Sequence, residues 1–471
     1  MREEDLCFKP ATEIADMIKN KEYSALEITE IFIERINKIN PKINAYCTTT
    51  FDLAKKMAQE ADERVKKGDP LPPLNGLPVS IKDLMQVKNV RTTYGSKLYE
   101  NFIPEDDEIV VKRLRKAGCV LLGKTNTPEF GHIPVTNNLI FGWTKNPWNL
   151  EKTSGGSSGG AAASVAAGLG PLALGSDGGG SIRLPSCLCG VYGLKPTFGR
   201  IPRYPRIGIA FWSMDHYGPI CRYVKDAALM LNVMKGHHPS DKDTFPDEGI
   251  DYVKVLDEKP EKLKIGYSTT LGYSRAIEPY VKEAVIESAL KLESFGWEVE
   301  EAKIKMKKPE FGFNVLVTMG YAYDLKKAFE ERKEDLSPDL VKMIEAGLSY
   351  NAYDIGRAWA IRQMVYETFY KFFNEYDILI TPTTPVVAFD LGMTTVPKIN
   401  GKPVSFVGWM NFTYPFNMSG LPAATVPCGW HGGLPIGMQI IGNRYDEKTV
   451  LQVSKAFEEI APWQDRKPKL D

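Results

Sequence analysis

The chain has 471 residues, 43% hydrophobic, 25% charged and 11% aromatic, the balance of a globular protein long enough to bury a large core. Lys plus Arg and Asp plus Glu number 59 each, so no global field favours nucleic acid or an anionic membrane. The 7 scattered cysteines lack a C-x-x-C pair and the 5 histidines lack ligand spacing, which points away from a metal centre and toward a reducing cytoplasm.

MREEDLCFKPATEIADMIKNKEY has no apolar centre between charged flanks, so it does not read as a signal peptide. Ser24-Ala25-Leu26-Glu27 reads as a capping box, with Leu26, Ile28, Ile31, Ile33, Ile36 and Ile39 following at near-helical spacing. LPVSI at 77–81 predicts a short strand ending at Lys82-Asp83. Asp106-Asp107 opens a helix with Val110, Leu114 and Ala117 on one face; Gly118 closes it, and CVLLG at 119–123 reads as a buried strand. GAAASVAAGLGPLALG at 160–175 is too short, and too interrupted by Pro171, to span a bilayer.

From about 225 to 375 the chain turns helical and charged, and Val281, Val285, Ala289 and Leu292 share a helix face that stops at Gly296. YDILITPTTP starts a strand near 376. GLPAATVPCGW and GLPIGMQIIG read as two strands joined by a glycine turn, and a helix follows from Glu447 to Glu459. Helix followed by buried strand is α/β wiring. No linker or internal repeat divides it, so one large domain is expected.

The centre holds SGGSSGG at 154–160 and GSDGGGSIRLPS at 175–186. Linkers are polar on both sides, whereas these runs are bracketed by small and apolar residues, the mark of close backbone packing. Gly168-Leu169-Gly170-Pro171-Leu172-Ala173 fits the dinucleotide fingerprint on paper, but no strand precedes it. Gly155 to Gly159 fits the G-x-S-x-G elbow, but the preceding NPWNLEKTS reads as a loop. No phosphate-cradling P-loop occurs here.

A third reading joins both clusters in one site. A nucleophilic serine needs a base and needs donors where an oxyanion forms. Gly178, Gly179, Gly180 and Ser181 offer successive bare N–H groups, a nest for an anion; a helix N-cap is the plainer role for Ser181. With few histidines, Lys82 at the end of an apolar strand is the candidate base, although a surface lysine is the default expectation. To serve, it must be buried and lose its charge by desolvation.

GLPVSIKD, GKTNTPEFG, NPWN…TSGGSSGG, GSDGGGSIRLPS, GLKPTFGR and GLPIGMQIIG stand in the order found in amidase signature hydrolases, which the chain resembles from about 70 to 225 and again from 376 to 460. The resemblance implies an α/β fold in which a mixed sheet is wrapped by helices. N-terminal helices would span 1–70, the catalytic core 71–225, a helical substrate-side region 226–375, and completing strands and a helix 376–471. It implies Ser181 as the acylated nucleophile and Ser157, after a cis peptide at Gly156, as proton relay to neutral Lys82. Gly178, Gly179 and Gly180 would form the oxyanion hole, with Ser158, Asp177 and Arg183 hydrogen-bonding around the serine loop.

The implied reaction is hydrolysis of a carboxamide, or an ester or carbamate, without metal or cofactor. A related component of tRNA-dependent amidotransferases hydrolyses glutamine. Leu184-Pro185-Ser186 after Arg183, and YNAYDIGRAWAIRQ at 350–363, depart from that component's pattern and favour a stand-alone amidase. Trp409, Phe412, Tyr414 and Phe416 are candidates for an acyl pocket, with core packing the default for most of them. The expected partner is a small-molecule amide in the cytoplasm; a homodimer is left open.

Overall fold

The computed structural model describes residues 3–206 and 208–470. Near the N-terminus, Ser24 caps the helix Ala25–Ile43. Its Oγ accepts the Glu27 amide at 3.1 Å, and Glu27 Oε2 accepts the Ser24 amide at 2.7 Å. Of the residues read at helical spacing, Ile28, Ile33, Ile36 and Ile39 are buried and Leu26 and Ile31 half-buried, while Phe32 and Ile43 add to the buried face.

The centre of the molecule is an 11-stranded sheet. In chain order its strands are β1 (Tyr46–Thr49), β2 (Pro78–Lys82), β3 (Val120–Thr125), β4 (Leu172–Asp177), β5 (Tyr192–Lys195), β6 (His216–Cys221), β7 (Lys264–Tyr267), β8 (Glu298–Glu301), β9 (Ile378–Pro382), β10 (Ala423–His431) and β11 (Leu434–Gly442). They lie in the order β1-β3-β2-β4-β6-β5-β10-β11-β9-β7-β8. β2 runs parallel to both β3 and β4, whereas β4, β6, β5, β10, β11 and β9 alternate antiparallel, so the sheet is mixed. β2, β3 and β4 are buried along their whole length, as expected of strands covered on both faces.

Three features differ from the sequence expectation. β1 pairs antiparallel with β3 in a stretch read only as helical surroundings; four residues are too few to show a period. The helical region 226–375 also contributes two edge strands, β7 and β8. NPWNLEKTS is not a loop: Lys145–Asn146 and Asn149–Thr153 pair antiparallel in a small separate sheet, with polar residues outward. β10 and β11 are joined through Gly432 and Gly433, whose φ of +57° and +80° glycine alone adopts readily.

Helices cover both faces. Gly159–Ala166 is buried at every residue, which its Ala/Gly composition permits. Glu310–Glu331 packs against both Pro338–Ser349 and Ala352–Phe372, and residues of Glu310–Glu331 and Pro338–Ser349 line the cleft described next.

Candidate active site

β2 and β4 are parallel neighbours with Ile81 level with Leu174, so Lys82 and Ser176 meet at the carboxyl ends of the two strands. Ligands gather at such ends in sheets of this kind. Lys82 is 0% exposed, and its Nζ donates to Ser157 Oγ at 2.7 Å and to Ser176 Oγ at 3.0 Å. Burial pulls its pKa down to about 7, against the opposing fields of Asp215 and Asp177. Ser157 sits on the turn ahead of the buried helix Gly159–Ala166, and the Gly156–Ser157 peptide is cis.

β4 then runs into Gly178-Gly179-Gly180-Ser181. Phe211 and Phe313 press on this run: a Cβ on Gly178 would stand 2.6 Å from Phe211 Cδ1, and one on Gly179 2.7 Å from Phe313 Cζ. Ser181 is partly exposed, whereas Lys82, Ser157 and Ser176 are buried. The hydroxyls of Ser157 and Ser181 line one cleft without a hydrogen bond between them; such contacts commonly tighten only with substrate present.

The helix Arg183–Cys189 is capped at Ile182, not Ser181. Asp177 performs the capping. Its carboxylate accepts the amides of Gly180 (2.7 Å), Ile182 (3.1 Å) and Arg183 (3.3 Å). The Gly180 N–H is thereby engaged. The amides of Gly178, Gly179 and Ser181 have no protein acceptor among the described residues.

Arg183 forks onto the same carboxylate at 3.0 and 2.9 Å, with both side chains 0% exposed. Burial works to raise the Asp177 pKa, but the charge and hydrogen bonds of Arg183 hold it well below the usual carboxylate range. Ser158 ties the two clusters together: its amide donates to Ser181 O at 3.1 Å and its hydroxyl to Ser176 O at 3.1 Å.

Several neighbours gave no sequence signal. Arg183 also donates to Thr413 O, Gln439 Oε1 and Asn417 Oδ1, and Asn417 Nδ2 returns to Asp177 Oδ1 at 2.8 Å. Ser176 precedes Asp177 and carried no sequence signal beyond its place in GSDGGGSIRLPS. Trp409, Phe412, Tyr414 and Phe416 are all core, with Tyr414 stacked on Phe313 at 4.7 Å. Met410 and Val407 reach the cleft instead.

Ser181 lies between two hollows. One also contains Ser157, Ser176 and Gly178, and has charged walls including Glu108, Arg203 and Asp215. The other contains Gly179 and is mainly apolar, with Phe313, Val317, Met343, Val407 and Met410.

The sequence profile of the amidase family matches residues 27–451. The chain belongs to the amidase family. Among amidase relatives, a glutamyl-tRNA(Gln) amidotransferase subunit from Carboxydothermus hydrogenoformans is 40% identical over 492 residues, covering 99% of this chain and 100% of that one. The acylamidase of Rhodococcus erythropolis is 38% identical over 474 residues, covering 99% and 98%. A bacterial aryl acylamidase of the amidase signature family superposes with a TM-score of 0.91 at 29% identity, over 97% of this chain and 98% of that one. The amidase fold, a mixed sheet inside helices, is the one described above, and the chain is an amide-hydrolysing enzyme of this family. Among the described residues no helix is long and apolar enough to cross a membrane.

Proposed function

We propose that the chain is a stand-alone amidase acting on carboxamides with an apolar or aromatic acyl group. The observation that carries this reading is the fully buried Lys82 bonded at 2.7 Å to Ser157, with an apolar hollow opening from Ser181 on the side away from that pair. In the reaction, Ser181 Oγ attacks the carbonyl carbon and its proton passes through Ser157 to neutral Lys82. The C–N bond breaks as the same relay returns that proton to the departing nitrogen. Water then cleaves the Ser181 ester by the same route.

The amides of Gly178, Gly179 and Ser181 hold the oxyanion; each such donor is worth roughly 10²–10³ in rate. Gly180 contributes conformation instead, its amide being bound to Asp177. Asp177, Arg183 and Ser158 keep the loop in place.

The two hollows have different tasks. The departing nitrogen must take its proton from Ser157, so the leaving amine lies on the charged side where Ser157 stands. The acyl group then fills the apolar side. Glutamine would bring an ammonium and a carboxylate among mainly apolar walls, whose charged side chains Asp339 and Lys342 are already paired with each other at 3.5 Å, an unfavourable burial of charge.

A second reading, a glutamine-hydrolysing component of a tRNA-dependent amidotransferase, is favoured by the 40% identity to such a protein. One experiment separates them. Purified chain is given phenylacetamide, an aryl anilide, an ester and glutamine, with Ser181→Ala as control. Hydrolysis of the apolar amides without a partner protein, and none of glutamine, is expected. Glutamine turnover exceeding that of every apolar amide overturns the stand-alone reading.

A further inference from the structure

One wall of the charged hollow carries a carboxyl group that the proton relay does not use. Glu108 stands just ahead of the helix Ile109–Lys116, is 0% exposed, and lines the same hollow as Ser157, Ser176 and Ser181. Its Oε1 accepts the Gln86 amide at 3.3 Å; its Oε2 takes no hydrogen bond of normal geometry among the described residues, the Tyr217 hydroxyl being its neighbouring donor. A buried carboxyl oxygen left in that state calls for an explanation, because folded proteins satisfy nearly all such atoms.

The other charges nearby are matched. Arg203 pairs with Asp215 at 3.1 Å, and Arg206 pairs with Asp241 and, at 2.9 Å, with Asp243. Asp324 accepts the amides of Ile209 and Ala210 at 2.7 and 2.8 Å. Lys124, whose field reaches Glu108, is itself paired with Asp83 at 2.9 Å. Glu108 therefore has a carboxyl oxygen but no cation of its own. Burial pushes its pKa up to about 8, against the pull of the Tyr217 hydroxyl and the Gln86 amide; a cation set against it would favour the charged form.

We infer that Glu108 receives a protonated amino group carried by the departing amine, so that the substrates are monoacylated diamines with an apolar acyl group at one end. The inference rests on the assignment of the charged hollow to the leaving group. Glu108 Oε2 accepts an N–H of the ammonium, and the scissile nitrogen stays beside Ser157. Neither guanidinium repels the cation strongly, since each is already engaged by carboxylates.

The test uses the full chain and phenylacetyl amides of 1,2-diaminoethane, 1,4-diaminobutane and 1,6-diaminohexane. Each is compared with the neutral alkyl amide in which a methyl group replaces the ammonium. For at least one length, kcat/KM favours the cationic member by about tenfold or more, chiefly through KM, the worth of one charge-assisted hydrogen bond. Glu108→Gln removes that preference, and Glu108→Asp keeps part of it. A wild-type chain that treats each pair alike, or favours the neutral member, overturns the proposal before any variant is made; so does a Glu108→Gln enzyme that keeps the preference. If phenylacetamide is cleaved and none of the monoacylated diamines is, the diamine assignment alone falls. If no amide is cleaved, the proposed function falls with it.

Discussion

At the scale of single residues, the proposed chemistry turns on the protonation of Lys82. A lysine in water has a pKa of ~10.4 and is almost wholly charged at neutral pH. Burial brings this one down to about 7. A base works in its neutral form, which is present above the pKa, so kcat/KM is expected to rise through pH about 7 and level off beyond it. A rise delayed to the range of a free lysine would remove Lys82 from the role. Ser181→Ala and Lys82→Ala are each expected to lower kcat by about 10⁴-fold or more, and Ser157→Ala by less; steady-state kinetics on an anilide reads this directly. Lys82 was legible in the sequence only as an oddity, a charge at the end of an apolar strand. Its pKa could not be read there, because desolvation depends on atoms from β4 and the Ser157 turn.

At the scale of elements, the short helix Arg183–Cys189 is anchored by one buried ion pair. Seven residues make only two turns, too few to be stable alone. Asp177 caps the helix start while Arg183 ties it to Asn417 and Gln439, from segments more than two hundred positions away. Arg183→Met would leave the Asp177 carboxylate buried without its ion-pair partner, and a loss of about 3–5 kcal/mol is expected, measured by urea unfolding. Because the Asp177 pKa is depressed in the fold, its share of stability is present above the ordinary carboxylate range and is lost as pH falls through the folded value. Gly180 belongs to the same element. It has φ +136°, and a Cβ would collide with the Thr413 hydroxyl. Gly180→Ala is expected to lower both Tm and kcat, a pairing that a thermal melt and an anilide assay check together. The three glycines read in sequence as bare N–H donors; in the structure they also admit Phe211, Phe313 and Thr413 to contact with the backbone.

At the scale of the whole molecule, the sheet brings the two serine clusters and Lys82 to one place, and the later helices then divide the approaches to it. Phe211 lines both hollows and stands between them. If the apolar side holds the acyl group, each methylene added to a straight-chain acyl amide contributes about 0.8 kcal/mol and raises kcat/KM about fourfold, until the pocket is full. Val317→Trp, which narrows that side, is expected to end the rise earlier in the acyl series while leaving the acetyl amide least affected.

What the sequence determined by itself is local: the capping box at Ser24, the buried strands read at 77–81 and 119–123, the glycine turn between β10 and β11, and the two glycine- and serine-rich runs. Each rests on side-chain period or backbone conformation within a few neighbouring residues. Tertiary structure alone decided that Asp177 rather than Ser181 caps the helix, that Gly180 spends its amide on Asp177, and that Glu108 lines the cleft with its Oε2 unbonded. Hydrogen-bond satisfaction and desolvation are sums over everything that packs around an atom. For these atoms the surroundings come from segments far apart in the chain, and no local pattern records which of them will meet.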